Sequence, residues 1–369
     1  MGTPQDVVEL LQQLIRIPSV NPDGTPGTDR TGELELARYL GDFTRQLGAE
    51  VQYDEVEPDR PNLIARFPGG QDKPRLVLAP HLDTVSVAGM TIPPFDAEIR
   101  DNRVYGRGAS DTKGPMAAML WALHQLYREK RSLPFDIWFT GLMGEEAGND
   151  GAIHLAKTLQ ADFVLVGEPT QMKIVYRHKG ALWGRLTTSG LSGHASDPRP
   201  HENAILRMAT ILPELRQLSD HWAKTPDPEL GPSTLNIGTI QGGSKVNIVP
   251  DRCETELDIR VIDGTAHWRD AVGQILERHQ DYASVEYSRA LPALNTRADN
   301  AFVQRLEKAG SSLDTAPWFC DAAIFAEAGL AAAAMGPGSI AQAHTADEWI
   351  DIDELRQGAE FFQSFFAAH

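Results

Sequence analysis

The sequence places metal-binding and acid-base side chains just beyond the ends of short apolar runs. One histidine and four carboxylates stand in such positions, namely His81, Asp83, Glu145, Glu146 and Glu168. Asp111 precedes a helical segment that opens at Pro115, and His344 follows the last apolar run. Open α/β sheets bind ligands where the carboxyl ends of their strands meet. We therefore expect these side chains to lie together at one edge of a sheet.

The expected cluster carries more negative charge than its own histidines can balance. Taken singly, a His-x-Asp pair is more often a hydrogen-bonded loop pair than a metal site, and adjacent glutamates are usually solvated. Two histidines with four or five carboxylates at one edge need cations to neutralise them. Imidazole and carboxylate donors without thiolates suit zinc, and also cobalt or manganese. Because the donors exceed one tetrahedral shell, we predict two divalent ions that share a carboxylate.

A water bound between two such ions is the expected reagent. Metal binding lowers the pKa of the water towards about 7, and a carboxylate that is not a ligand can take its proton as it attacks a carbonyl. The adjacent Glu145 and Glu146 permit this division of roles, with one as the base and one on the metal.

The surrounding elements alternate between helical and strand patterns. Apolar side chains at helical spacing predict helices up to Ile17, over Glu33–Leu47 and over Pro115–Lys130. Runs typical of buried parallel strands alternate with helical segments, at Arg75–Ala79, Phe135–Leu142 and Ala161–Val166. The predicted fold class is α/β, with a mixed, largely parallel sheet flanked by helices.

The order of the predicted elements changes from Gly180 onwards. It becomes β-α-β-β-α-β, with its first helix at His201–Trp222, which is the order of a ferredoxin-like module. An α/β pattern returns at the helix Ala301–Ala309. We therefore predict that residues 177–288 are inserted into a catalytic domain formed by residues 1–176 and 289–369, with a hinge at the two linkers.

Composition excludes several classes of protein. The chain has 369 residues, of which 41% are hydrophobic and 23% charged; this composition is typical of globular proteins, and the length suffices for two or more domains. Its net charge of -17 opposes binding to nucleic acid or to anionic membranes. Its two cysteines, Cys253 and Cys320, are too far apart for a Cys-x-x-Cys site. No uncharged apolar run approaches the roughly 20 residues that span a bilayer, so we expect a soluble, cytoplasmic protein.

Six motifs, in order and over nearly the whole chain, resemble the M20 family of metal-dependent peptidases and deacylases. They are His81-Leu-Asp83-Thr-Val, Gly106-Arg-Gly-x-x-Asp111-x-Lys-Gly, Gly144-Glu145-Glu146, Gly167-Glu168-Pro-Thr, Gly193-His194-Ala-Ser, and Gly336-Pro-Gly followed by Ala343-His344. The resemblance implies two ions bridged by Asp111. It places His81 and Glu168 on one ion and Glu146 and His344 on the other. Glu145 is then the general acid and base, and Asp83 orients His81.

The resemblance also gives a role to the insert, as a lid and dimerisation domain of a homodimer. His194 would reach a neighbouring subunit's site to stabilise the oxyanion, although outside this motif it would be an ordinary surface histidine. Arg260 and Asn247 resemble the groups that hold the substrate carboxylate, and an arginine fork suits a carboxylate. Gly338 would line the same substrate site.

Within the family, the segment Gly336–Glu348 looks more like the acetylornithine deacetylase branch than the desuccinylase branch. Phe319-Cys320-Asp321 departs from the small residue and threonine that many relatives carry before the acidic position. The expected substrate is a small N-acyl-L-amino acid, closest to N-acetylornithine. The alternatives are a carboxypeptidase or dipeptidase acting on short peptides, an N-succinyl-diaminopimelate desuccinylase, and a non-catalytic binding homologue. A nucleotide-binding protein is disfavoured because Gly106-x-Gly108 lacks the third glycine of that fingerprint.

Overall fold

The structure is a computed structural model that describes residues 2–68, 72–197, 199, 202–264 and 266–367. The chain divides into two compact units. The first comprises Met1–Tyr176, Thr296–Asp314 and Cys320–His369. The second comprises Arg177–Asn295 and Thr315–Phe319.

The elements of the described residues are numbered in chain order. The helices are α1 (Val7–Ile15), α2 (Leu34–Gln46), α3 (Lys113–Arg128), α4 (Asp150–Ala156), α5 (Ala204–Trp222), α6 (Ala266–Glu277), α7 (Ala301–Lys308), α8 (Ala322–Glu327) and α9 (Ile352–Ala367). The strands up to residue 178 are β1 (Glu50–Glu57), β2 (Arg60–Arg66), β3 (Arg75–Leu78), β4 (Glu98–Arg100), β5 (Arg103–Tyr105), β6 (Asp136–Gly141), β7 (Phe163–Val166) and β8 (Ile174–His178). The later strands are β9 (Gly180–Ser189), β10 (Gly193–His194), β11 (Thr234–Gly242), β12 (Ile248–Val249), β13 (Arg252–Val261), β14 (Ala283–Leu291), β15 (Leu294–Asn295), β16 (Leu313–Ala316), β17 (Ala332–Ala334) and β18 (Trp349–Asp351).

A mixed sheet forms the centre of the first unit, in the order β1-β2-β6-β3-β7-β17-β8. Its middle strands β6, β3, β7 and β17 are parallel, whereas β2 and β8 run antiparallel to their neighbours. The side chains of β7 are buried along its whole length, as expected for a parallel strand covered on both faces. This confirms the predicted α/β class with a largely parallel sheet.

Helices position this sheet through a continuous apolar core. Helix α3 packs against α1 and α9, and α8 packs against β17 and β7. Alternate residues of a strand face one side of a sheet, so Leu76 and Leu78 of β3 join the core that also contains Leu120 of α3 and Phe362 of α9. These contacts hold the carboxyl ends of the parallel strands at one fixed edge.

The sequence analysis did not predict several elements of the first unit. Strand β1 was missed because its side chains are acidic or exposed at most positions, which hides the alternation of a buried strand. The strands β4, β5 and β18 are only three residues long each, and together form a small antiparallel sheet. Such short strands leave no periodic signal in a sequence.

The second unit contains an antiparallel sheet with the order β11-β13-β9-β14. Helices α5 and α6 pack together. Met208 of α5, Trp268 of α6 and Leu257 of β13 belong to one apolar core between the helices and the sheet. The strand order β11-β13-β9-β14 is that of the split βαβ module. Helix α5 begins at Ala204, where Asn203 Oδ1 accepts hydrogen bonds from the N–H groups of Ile205 and Leu206. The predicted first residue of this helix, His201, lies outside the described residues.

In the part of the chain that the structure describes, no helix has both the length and the apolar character needed to cross a membrane.

Candidate metal centre

Loops at the carboxyl ends of the parallel strands bring the predicted residues of the first unit together. His81 follows β3, Glu145 and Glu146 follow β6, and Glu168 follows β7. The strands continue briefly beyond their regular pairing, since His81 forms an isolated bridge with Leu142. The site therefore lies where the strand ends of an open α/β sheet predict it.

Two groups of side chains in this cluster could each hold a metal ion. The first is His81, Asp111 and Glu168, and the second is Asp111, Glu146 and His344. Within each group the donor atoms lie within 4.8 Å of one another. Asp111 Oδ1 lies 3.0 Å from His81 Nε2, and Asp111 Oδ2 lies 3.3 Å from His344 Nε2. Asp111 thus directs one oxygen towards the histidine of each group, as expected of a carboxylate shared by two ions.

Burial sets the protonation of the glutamates in this cluster. Burial raises the pKa of Glu168 well above its ordinary value, and the charge of Asp111 adds to the effect. Burial also raises the pKa of Glu146 to about 7, with a further contribution from Asp111, while His344 opposes the shift. The protein alone therefore disfavours the full negative charge of the site.

The pKa values of the two histidines and of Asp111 are shifted so that their charged forms are favoured, because these side chains pair with one another. Burial opposes a charged His81, yet its hydrogen bonds with Asp111 and Asp83 outweigh that cost and raise its pKa well above 6.5. Hydrogen bonds with Asp111 and Glu146 raise the pKa of His344 to about 10. Burial also works against the Asp111 carboxylate, but the two histidines hold its pKa well below the usual range.

The donor set fits divalent cations. Glu168 Oε1 is buried and has no hydrogen-bond partner among the described residues. A buried carboxylate oxygen without a partner is costly unless a cation compensates it. Imidazole nitrogens and carboxylate oxygens, with no thiolate among them, are ligands that zinc, cobalt and manganese accept.

Asp83 lies behind the cluster and contacts several parts of it. Its backbone oxygen is 2.9 Å from His81 Nδ1, and its Oδ1 is 3.4 Å from the same nitrogen. The side chain also accepts hydrogen bonds from the N–H groups of Glu145 and Glu146 and from Asn21 Nδ2. Asp83 is therefore placed to orient His81, and in addition it holds the Glu145 loop.

Glu145 belongs to neither donor group, but it lies close enough to His81, Glu168 and Glu146 for their charges to act on it. Burial raises its pKa well above the ordinary value; the charges of Asp321 and Glu168 add to this, and His81 opposes it. Asn149 Nδ2 donates to the Glu145 backbone oxygen at 3.2 Å and to Asp321 Oδ1 at 3.0 Å. The sequence analysis missed Asn149, which no motif marks, and noted Asp321 only as part of a departure from the family pattern.

The remaining predicted residues are placed as follows. His194 is exposed in β10, with Nδ1 2.7 Å from Ser196 Oγ, and β10 pairs with β12, which directly follows Asn247. Arg260 lies in β13 of the same unit, where its Nε is 3.0 Å from Asp258 Oδ1. Gly338 is buried in the first unit with a φ of 89°, and a Cβ there would lie 3.1 Å from Ser110 Oγ. This close approach is a structural reason for glycine at position 338.

Two candidate donor groups that share a carboxylate, with a further buried glutamate nearby, are an arrangement typical of two-metal hydrolases. The sequence profile described as peptidase family M20/M25/M40 matches residues 77–368. The chain belongs to this family, which confirms the resemblance carried by the six motifs.

Its similar proteins include deacetylases. An acetylornithine deacetylase of Photorhabdus laumondii is 33% identical over 366 residues, which cover 94% of this chain and 92% of that protein. An acetylornithine deacetylase of Vibrio campbellii is 29% identical over 362 residues, covering 94% of each.

Solved structures with the same fold include peptidases. A tripeptidase from Staphylococcus aureus has a TM-score of 0.79 at 23% identity, over 98% of this chain and 97% of the other. A dinuclear metal-binding peptidase of the M20 family from Bacillus subtilis has a TM-score of 0.69 at 16% identity, over 98% of this chain and 96% of the other. At these identities the likeness shows the fold.

Proposed function

We propose that this chain is a two-metal amidohydrolase that removes the acyl group from an N-acyl-L-amino acid, with N-acetylornithine as the first candidate substrate. The observation that carries the proposal is Asp111, whose two oxygens face His81 and His344 separately. The choice of a deacylase rests on the two acetylornithine deacetylases to which the chain is similar over most of its length.

In this proposal His81 and Glu168 hold one ion, Glu146 and His344 hold the other, and Asp111 is shared. Zinc is the first candidate metal, and cobalt and manganese suit the same donors. Such ions polarise a substrate carbonyl and lower the pKa of a water towards about 7. They also supply the positive charge that the buried carboxylates otherwise lack.

Glu145 is proposed as the general base and acid. Its position beside the donor groups, but outside them, leaves its carboxylate available for proton transfer. It would accept the proton of the attacking water and then deliver it to the nitrogen of the leaving amine. The loop contacts of Glu145 with Asp83 and Asn149 support this role, because a base must be held at a defined distance from the reacting atoms.

The second unit is proposed as the lid that supplies substrate contacts. His194 would donate to the oxyanion, and Arg260 and Asn247 would hold the substrate carboxylate. The ion pair between Arg260 and Asp258 shields part of the guanidinium charge, so the substrate carboxylate would compete with Asp258 for it. Gly338 is proposed to line the substrate site.

We further propose a homodimer formed through the second unit. Large apolar side chains are exposed there, including Leu191, Ile205, Leu206, Ile240 and Val246. Within the described part of the chain, β11 pairs on one side only and is an edge strand of its sheet. Exposed apolar groups beside a free strand edge support an interface with a second copy.

The test is a substrate panel with metal-depleted protein, to which zinc or cobalt is added back. The panel contains N-acetylornithine, other N-acetyl amino acids, N-succinyl-diaminopimelate and dipeptides, and release of free amine is measured. Metal-dependent release from N-acetyl amino acids supports the deacylase. Turnover of dipeptides alone, or of the succinylated substrate alone, replaces it with the corresponding alternative, and silence with two ions bound contradicts the proposed substrate class.

A further inference from the structure

Glu348 is completely buried beside the loop that carries Asp111. Its side chain accepts four hydrogen bonds, from Arg107 Nη1 at 2.7 Å, Gly108 N at 3.1 Å, Ser110 N at 2.9 Å and Asp111 N at 2.9 Å. All four partners are donors, and three of them are backbone N–H groups of the Asp111 loop. The carboxylate is therefore satisfied only while that loop keeps its conformation.

The backbone around Glu348 is attached to the same loop. Gly106 N donates to the Glu348 backbone oxygen at 3.0 Å, and Ser110 Oγ donates to the Trp349 oxygen at 2.8 Å. Strand β18, which starts at Trp349, pairs with β5, which precedes the loop. The segment that carries His344, four residues before Glu348, is thus fastened to the segment that carries Asp111.

Stability alone does not explain a carboxylate at this position. A buried carboxylate loses its hydration, and apolar residues of similar volume often replace buried ion pairs without loss of stability. Glu348 belongs to neither donor group. What its contacts do achieve is to hold the backbone N–H of the one residue that both donor groups share.

We propose that Glu348 is a positioning residue, which sets where the Asp111 carboxylate stands between His81 and His344. The inference rests on the proposed role of Asp111 as a shared metal ligand. Partners of metal ligands that lie behind them typically change metal affinity 10- to 100-fold when mutated. Because both ions would share Asp111, a displacement of the Asp111 loop should weaken the binding of both ions together.

The experiment compares cobalt binding by the metal-depleted parent and by Glu348→Gln. The amide keeps the size of the side chain but turns an –NH₂ towards groups that are themselves donors. We expect the Kd for cobalt to rise about 10- to 100-fold, and the visible absorption of the bound cobalt to change with its ligand geometry. Glu348→Asp keeps the charge on a shorter side chain and should give an intermediate change. In the cobalt-loaded enzymes kcat should fall more than KM changes.

Asp136→Asn is the matched control. Asp136 is buried at the start of β6, at the opposite end of that strand from Glu145, and pairs with Arg75 Nε at 2.7 Å. Loss of the ion pair with Arg75 should lower the Tm of the metal-depleted Asp136→Asn variant. Its Kd for cobalt and the absorption spectrum of the bound cobalt should stay at the parent values. If Glu348→Gln behaves like this control, the inference is overturned while the proposed function stands.

If Glu348→Gln does not fold, Glu348→Asp carries the test, and parent-like cobalt affinity and spectrum in that variant overturn the inference. If the parent itself binds neither cobalt nor zinc, the proposed function fails, and this inference fails with it.

Discussion

Asp83 and Glu145 are joined by a hydrogen bond of 3.0 Å from the backbone N–H of Glu145 to Asp83 Oδ1. The same oxygen lies 3.4 Å from His81 Nδ1, so one carboxylate contacts both a candidate ligand and the backbone of the proposed base. Asp83 thereby fixes the position of the loop after β6 relative to the loop after β3. The sequence analysis predicted the contact with His81 and not the one with Glu145.

Replacing Asp83 by Asn should impair both functions of this carboxylate. Asparagine keeps one acceptor oxygen, but it carries no charge and turns an –NH₂ towards the donors on its other side, so the hydrogen bonds to the Glu145–Glu146 loop and to His81 are weakened or lost. We expect metal affinity to fall about 10- to 100-fold, with a lower kcat even at saturating metal. Competition with a chelator measures the first effect and steady-state kinetics the second. Parent-like values in both would contradict this role.

Glu145→Gln should separate catalysis from metal binding. The amide cannot take a proton from water, and general acid-base catalysis typically contributes about 10²- to 10⁴-fold. We expect kcat to fall by at least about 100-fold on this ground, with metal content and Tm close to those of the parent. Glu146→Gln is the control beside it, because it should lose metal as well as activity. A Glu145→Gln enzyme with parental kcat would exclude Glu145 as the base.

Mixed dimers test whether His194 acts in the neighbouring subunit's site. His194→Ala and Glu145→Gln should each be nearly inactive alone. If His194 acts across the interface, a random mixture of refolded or co-expressed chains should recover about a quarter of the parental activity, since half the dimers then contain one complete site. If His194 acts within its own subunit, the mixture should stay as inactive as its components.

Lys113 predicts a pH dependence of stability. It is buried and donates to the backbone oxygens of Leu14 and Ile17. Burial lowers its pKa to about 7 from 10.5, so between these values the unfolded chain binds a proton that the folded protein does not. The free energy of unfolding therefore rises with pH across this window, by at most about 1.4 kcal/mol per pH unit from this group.

The variant Lys113→Met isolates this contribution. Denaturant unfolding of the parent and the variant, followed from pH 7 to 10, should show the parent gaining stability relative to the variant as pH rises. Lys173→Met, which removes an exposed lysine paired with Asp314, is the control and should run parallel to the parent. Equal pH slopes for the parent and Lys113→Met would show that Lys113 does not titrate in this range.

Metal removal should destabilise the protein at neutral pH. Ions bound only to the folded state stabilise it by about 2.7 kcal/mol per site at a concentration 100 times Kd. The loss should be larger at pH 8 than at pH 5, because Glu146, with its pKa raised to about 7, is protonated at the lower pH and needs less compensation. Thermal unfolding with and without a chelator at the two pH values measures the difference. A chelator effect that is the same at both would contradict the account of the buried carboxylates.

The residues that could be predicted from the sequence are those whose signal is local. His81, Glu146, Glu168 and His344 each stand beyond an apolar run, and the carboxyl ends of parallel strands converge at one edge whatever the details of packing. The α/β class followed from the same runs. The proposed division between Glu145 and Glu146 depended on the resemblance to a family, because two adjacent glutamates look alike in a pattern.

The tertiary structure alone decided which residues support that site. Glu348 accepts hydrogen bonds from backbone groups about 240 positions earlier in the chain, and Asn149 meets Asp321 across 172 positions. A buried glutamate and a solvated one cannot be told apart in a sequence, and the spacing of residues does not reveal a contact between distant loops. Whether Asp111 turns one oxygen to each histidine is likewise a matter of how the loop before α3 is held, which only the packed chain determines.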